Sequence, residues 1–426
     1  MEVKAGYKLT EVGVIPEDWE VVTATQACDL VVDCKNRTPP FVVDSDYAVV
    51  RTPNVRDGQF VLEDLRFTDE ASYYTWTARA VPQIGDIMIT REAPLGEVCA
   101  VPKGRKVCLG QRMMLYRPSP TKANSTYLLY SLISLPVRAN LLRKIGGSTV
   151  GHAKVDDIRF LQLPLPPLPE QRSIATVLSD MDALLGTLDQ LIAKKRDLKQ
   201  ATIQQLLTGK KRLPGFVGEW DVKTFGELFS FSGGYSASRD QLSSNGYCYL
   251  HYGDIHGSSK TFIDTRIDFQ DIPKLDIPIK QISSNSLLDD GDVVFVDASE
   301  DNEGASKHVV VMNENNIPFI SGLHTIVAKS KTGELTHEYK RYCFQTSAIR
   351  QQFLFYAVGT KVLGISKTNI PKLILPVPSL PEQAAIATAL SDMDTELAAL
   401  EQRRDKTRAL KQGMMQELLT GRTRLL

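Results

Sequence analysis

No stretch of this 426-residue chain approaches the ~18 consecutive apolar residues of a membrane-crossing helix. Its first ten residues carry Glu2, Lys4 and Lys8 where a secretion signal would have an apolar core. A soluble, cytoplasmic protein is expected. The six cysteines (Cys28, Cys34, Cys99, Cys108, Cys248 and Cys343) form no C-x-x-C pair and have no histidine at zinc-finger spacing, which argues against a disulfide framework and a structural metal site. Net charge is absent too. Fifty lysines and arginines balance fifty aspartates and glutamates, so any site for a polyanion must be a local patch.

Recognisable catalytic runs are also missing. The chain has no G-x-x-x-x-G-K-[ST] phosphate loop, no G-x-G-x-x-G dinucleotide turn and no [DNS]-P-P-[YF] run of the amino-methyltransferase kind. The tripeptide Glu2-Val3-Lys4 lacks upstream room for a nuclease carboxylate. The adjacent pairs Asp156-Asp157 and Asp289-Asp290 read as solvated turns rather than acid–base pairs. The expectation is a noncatalytic protein with no catalytic and no metal-binding residues.

What the chain does have is a long-period repeat. Residues 163–213 align without a gap on residues 375–425, with about 30 identities in roughly 50 positions, far beyond chance for a duplication of this length. Leu168-Pro169-Glu170-Gln171 answers Leu380-Pro381-Glu382-Gln383, and Leu206-Leu207-Thr208-Gly209 answers Leu418-Leu419-Thr420-Gly421. Ahead of each block the match is weaker, but landmarks recur in order: Trp19-Glu20-Val21 with Trp220-Asp221-Val222, Gly85-Asp86 with Gly291-Asp292, and Gly147-Ser148 with Gly359-Thr360. The plan is variable, constant, variable, constant. Its expected boundaries are 1–160, 161–213, 214–372 and 373–426.

Each constant block predicts one long helix. Ile174, Leu178, Met181, Leu185, Leu188 and Ile192 step by fours and threes, as do Ile386, Leu390, Met393, Leu397 and Leu400, so each set forms an apolar stripe suited to a second helix. A proline opens each helix and a glycine closes it. From Pro169 to Thr208 such a helix would run about 60 Å at 1.5 Å per residue. Pro164-Leu165-Pro166-Pro167 and Pro376-Val377-Pro378 predict stiff, extended connectors. The variable units read as mixed α+β, with strand-like runs such as Ile87-Met88-Ile89 and Val293-Val294-Phe295-Val296 bounded by turn residues. The fold class is therefore α+β: two mixed α/β domains and two long antiparallel coiled-coil helices, related by a pseudo-two-fold repeat.

Two variable units, each followed by a proline-bearing L-P-E-Q connector and a helix ending in L-L-T-G, resemble the specificity subunit of type I restriction-modification systems, over essentially the whole chain. The second unit departs at Val358-Gly359-Thr360-Lys361, which replaces the double glycine of Gly146-Gly147-Ser148-Thr149. The resemblance implies two target-recognition domains reading one bipartite, asymmetric duplex DNA site. It also implies helices that set the spacing and dock two methyltransferase subunits, joined by two restriction/translocation subunits. S-adenosylmethionine, ATP and magnesium would then be cofactors of those partners, with none in this chain. Glu170, Gln171, Glu382 and Gln383 are the expected partner-docking residues. The alternative is a coiled-coil adaptor whose variable domains bind proteins.

Local charge fits a DNA reader. No acidic residue occurs from Val98 to Val155 or from Tyr339 to Pro381, while basic residues are frequent in both stretches, so each unit is expected to present a phosphate-facing surface. Expected contacts in the first unit are Lys103, Arg105, Ser148, Thr149 and Lys154. In the second they are Lys307, Thr360, Lys361 and Lys367. Base reading requires directed donors and acceptors. The candidates, at predicted strand ends, are Arg51, Asn54, Arg91 and Arg112, then Arg239, His251, Tyr252, His256, His308 and His324.

Overall fold

The computed structural model describes residues 4–35, 37–144, 151–258, 260–299, 306–358 and 363–425. The chain divides into two compact units. Unit 1 is Met1–Asp189 with Gln402–Leu426, and unit 2 is Gln190–Glu401. Each therefore contains one variable region, the first part of the helix that follows it and the last part of the other long helix.

In unit 1 the central antiparallel sheet has the order β5-β4-β7-β2, formed by Val98–Ala100 (β5), Ile87–Thr90 (β4), Met113–Pro118 (β7) and Cys28–Asp33 (β2). Its inner strands are almost continuously apolar because both faces are covered. Ile87, Ile89, Met114 and Tyr116 pack with Leu128 and Leu132 of helix α1 (Ser125–Ile133), whereas Met88, Cys99, Met113 and Leu115 face Val50, Val107 and Leu109. The last three belong to a second sheet, in which β3 (Tyr47–Val50) and β6 (Lys106–Leu109) run parallel. The proline connector is a paired strand and not a free arm: β8 (Gln162–Leu165) lies antiparallel to β1 (Glu20–Thr23).

Unit 2 repeats the plan. Its sheet has the order β10-β16-β13-β14-β12, from Phe229–Gly233 (β10), Thr325–Ser330 (β16), Val293–Val296 (β13), His308–Met312 (β14) and Phe262–Asp264 (β12). Beside it β11 (Tyr247–Leu250) runs parallel to β15 (Phe319–Ser321). The second connector, β17 (Ile374–Val377), pairs with β9 (Asp221–Thr224). The core is more aromatic than that of unit 1, with Phe225 and Phe295 in ring contact with each other and each with Phe344 and Phe353, at 5.1–6.3 Å. The six cysteines are buried free thiols. Burial pushes Cys28, Cys99 and Cys108 up to about 12.

The constant blocks form the helices α2 (Leu168–Leu206) and α3 (Leu380–Leu418), each of 39 residues. Each stops at a glycine in the left-handed region, Gly209 and Gly421, both at φ 69°, the geometry that ends a helix at low steric cost. Within each unit the two helices run antiparallel. In unit 1, Lys411 donates to Asp182 at 2.6 Å and Arg404 lies 3.9 Å from Asp189; in unit 2, Lys199 pairs with Asp394, Lys195 with Glu396 at 2.6 Å, and Arg196 with Glu401. Asp182 and Asp394 also accept from a tyrosine of the variable region in their own unit, Tyr130 to Asp182 at 2.6 Å and Tyr342 to Asp394 at 2.8 Å.

Of the apolar stripe, Ile174, Leu178, Leu188, Ile192, Ile386, Leu390 and Leu397 are buried, and Met181, Leu185, Met393 and Leu400 half-buried. Its first positions serve more than helix pairing. Ile174 and Leu178 pack with Trp19, Tyr127 and Tyr130 as well as with Leu418 and Leu419. Among the described residues no helix is long and apolar enough to cross a membrane.

Candidate nucleic-acid interface

The candidate base readers gather at one end of the strands in each unit, on equivalent frames. In unit 1 the Gly110 N–H donates to the Val50 carbonyl at 2.8 Å where β6 ends beside β3, and the Arg91 N–H donates to the Arg112 carbonyl at 2.8 Å. In unit 2, Gly322 donates to Leu250 at 2.9 Å and Asp297 to His324 at 3.2 Å. The glycines are required by proximity. A Cβ at Gly110 would lie 2.9 Å from the Val50 oxygen, and one at Gly322 2.5 Å from that of Leu250. Two residues beyond each glycine the chain takes a left-handed turn at a non-glycine residue, Arg112 at φ 72° and His324 at φ 59°.

The loop after β3 or β11 has a shared construction. The Arg51 N–H donates to Oδ1 of Asn54 at 3.1 Å, and the His251 N–H to Oδ2 of Asp254 at 3.3 Å. Around these frames the basic side chains are held by acids. Arg112 pairs through Nε with Glu92, whose other oxygen lies 3.2 Å from Nδ1 of His152. Arg51 donates to Asp64 at 2.7 Å. In unit 2, Nδ1 of His324 lies 3.4 Å from Asp297, and Arg239 donates to Asp254 at 3.2 Å. The Tyr252 ring, partly exposed, contacts His251 at 4.7 Å and His324 at 5.6 Å. Burial and then the nearby Arg239 charge hold His251 below its ordinary range, and burial raises Asp297 against the pull of His324.

Lys103 and Arg105, on the turn between β5 and β6, are exposed, as are Lys154 and Lys367. His256 is half-buried, and its carbonyl accepts from Lys307. Arg91 is nearly buried, with Nη1 3.4 Å from the Ala153 carbonyl. Ser148, Thr149, Thr360 and Lys361 lie outside the described residues.

Several expectations require correction. Asn54 is fully buried and its amide is spent on the Arg51 N–H and the Val61 and Glu63 carbonyls, so no edge remains for a base. His308 is buried between Phe295 and Phe344, at 5.6 and 5.0 Å, and burial lowers its pKa, so it is a neutral core residue. Nor are the acid-free stretches uniform basic faces. Arg117 is forked onto Asp86, Arg138 pairs with Glu97, and Lys340 is buried with its ammonium on Gly291 and Ser330. Acids from outside the first stretch thus neutralise Arg112, Arg117 and Arg138.

The largest correction concerns Glu170, Gln171, Glu382 and Gln383, all buried and all consumed inside their own units, which removes them from any docking surface. Glu170 accepts from Arg424 at 2.7 and 2.8 Å and from the Trp19 indole at 3.1 Å. Glu382 accepts in the same way from Arg212, through Nε and through Nη2 at 2.6 Å, and from Trp220 at 2.9 Å. Gln171 bridges the Asn124 N–H and the Lys122 and Pro166 carbonyls, and Gln383 the Thr336 N–H and the Glu334 and Pro378 carbonyls. The sequence marks these residues as repeated without revealing that they point inward. Glu92 and Asp297, which orient Arg112 and His324, escape sequence reasoning altogether. Among the described residues no cluster of three or more His, Cys, Asp or Glu side chains could hold a metal.

The family model described as the type I restriction modification DNA specificity domain matches this chain twice, at residues 16–196 and 218–408. A Methanocaldococcus jannaschii protein assigned as the MjaX type I restriction enzyme specificity subunit is 26% identical, the alignment covering 98% of this chain and 97% of the relative. The MjaVIII specificity subunit of the same organism is 24% identical, with 96% and 94% covered. Among solved structures, the type I restriction-modification S subunit from M. genitalium superposes with a TM-score of 0.52 at 15% identity, covering 98% of each chain. A chain from a structure of type I R-M complex assembly and conformational transition gives 0.56 at 15% identity, covering 96% of this chain and 99% of that one.

Proposed function

Because this chain belongs to the type I restriction-modification DNA specificity family, we propose that it binds duplex DNA at a bipartite, asymmetric site, each unit reading one half. It is the noncatalytic specificity subunit of such a system. The observation that carries the proposal is the pairing of like frames with unlike side chains. The two strand-end frames share their hydrogen bonds, yet one displays Arg51 and Arg112 and the other Tyr252 and His324, while Arg91 and His251 are largely buried. Like frames approach DNA alike, and unlike side chains read different bases. Exposed Lys103, Arg105, Lys154, Arg239 and Lys367 supply phosphate contacts in this reading, which fix register and carry most of the affinity.

The helices act as the spacer and present the docking surface for two methyltransferase subunits, to which restriction/translocation subunits add. S-adenosylmethionine, ATP and magnesium belong to those partners. The decisive experiment maps modified adenines in a host that expresses this chain with its cognate methyltransferase. A motif with two unlike halves is expected. No motif and no duplex binding, with or without the partner, would instead favour an adaptor that binds proteins. Inserting one helical turn near Gln190 to Ala193, and its counterpart in α3, would lengthen the spacer by about 5 Å, one or two base pairs, and leave both halves unchanged. Altered halves would refute the spacer role.

A further inference from the structure

From the equivalence of the two frames we infer that one position, Arg112 in unit 1 and His324 in unit 2, is the principal base-discriminating position of each unit, and that Arg112 selects a guanine. The inference rests on the specificity reading above. The two residues correspond by hydrogen-bond register and not by sequence, since each carbonyl accepts from the residue that follows the central strand, Arg91 or Asp297. Both hold a left-handed backbone that non-glycine residues rarely adopt. A turn needing only its shape would be served better by glycine. The persistence of an unfavourable backbone under two different basic side chains points to the side chains as the reason for it.

The electrostatics agree. Glu92 engages Arg112 at Nε, the nitrogen nearest the main chain, and the two terminal amino groups lie beyond it on the guanidinium. Those amino groups form a fork suited to O6 and N7 of guanine, with the carboxylate fixing its direction. The Arg112 and His324 side chains are 47% and 52% exposed, whereas Glu92 and Asp297 are 18% and 33% exposed, so in each pair the basic group is the outer one. In His324, Nδ1 faces Asp297 and Nε2 is turned away from it, leaving a single directed contact where Arg112 offers two.

The test uses the full chain with its cognate methyltransferase and reads the modified motif for wild type, Arg112→Gly, His324→Gly and His324→Arg. Glycine suits the left-handed backbone, so Arg112→Gly and His324→Gly should melt close to wild type. Arg112→Gly should relax one guanine of one half-site by about 5- to 150-fold and leave the other half intact. His324→Gly should relax a single base pair of the opposite half, and His324→Arg should install a guanine preference there. An unchanged motif in all three variants, a change spread over both halves, or a uniform loss of affinity with a reduced salt slope would overturn the inference. A wild-type complex that leaves no motif would sink the specificity reading itself, a distinguishable failure.

Discussion

Unit 2 closes with Arg212, which stands just ahead of its own recognition domain, whereas unit 1 closes with Arg424, from the far end of the chain. The same bidentate lock is thus built once from nearby sequence and once from distant sequence. The difference teaches that the repeated block is an interchangeable part. What each unit needs is a helix end with an arginine, and it is indifferent to the source. The surroundings do differ. Arg424 also reaches Asp18 at 2.7 and 2.9 Å, while Arg212 takes only the Gly218 carbonyl beside its glutamate.

That contrast can be broken by removing the glutamates, the largest effect expected. Glu382→Ala would remove a buried carboxylate on which the half-buried Arg212 and the Trp220 indole both depend, and should lower the unfolding midpoint of unit 2. Glu170→Ala should cost less, because Asp18 retains part of the Arg424 pairing. Denaturant unfolding followed through Trp220, the one tryptophan of unit 2, and through Trp19 and Trp76 in unit 1 separates the two responses. Equal losses would mean that Asp18 contributes nothing.

A second comparison concerns acid. In register, the place of His308 beside Phe295 is taken in unit 1 by Val98 beside Ile89. Burial lowers the folded-state pKa of His308 from 6.5, so the unfolded chain takes up the proton more readily. Its contribution is intact above pH 6.5 and is lost as pH falls toward the folded value. Burial lowers His251 as well, so unit 2 should weaken below about pH 6.5 before unit 1 does. His308→Val should flatten that slope in unfolding measured from pH 7 to 5; an unaltered slope would assign the effect elsewhere.

On the DNA side, Lys103→Ala with Arg105→Ala should weaken binding evenly across sequences and reduce the salt slope by about 2. A motif change instead would turn them into base readers. Smallest of all, Tyr130→Phe and Tyr342→Phe each remove one hydrogen bond to the helix aspartate, and each should cost about 1 kcal/mol. Unequal costs would show that the matched Tyr–Asp–Lys geometry hides different strain.

The repeat, the helices and the two-domain plan are legible because they rest on local periodicity and on identity between Leu163–Leu213 and Leu375–Leu425. Side-chain direction is not, because it depends on strands brought together from far apart. Asn54 and His308 look like base readers until the sheets bury them. The acid-free run from Val98 to Val155 looks basic until Asp86 and Glu97, outside or just before it, fold onto Arg117 and Arg138. Arg112 and His324 stand out in the sequence only as polar residues at predicted strand ends. Their equivalence emerges only from register, since Gly110-Gln111-Arg112 and Gly322-Leu323-His324 share little but the glycine.

The divided composition of unit 1 has a kinetic consequence during synthesis. Its variable region is translated before residues 190–401, and the helix end that covers Ile174, Leu178 and Trp19 only after the whole of them. At 5–20 residues per second, that surface stays uncovered for roughly 10 to 40 s. Unit 2, contiguous in the chain, has no such wait. The nascent chain therefore presents an apolar, tryptophan-bearing face to the cell while residues 190–401 are made, and chaperone engagement should concentrate there.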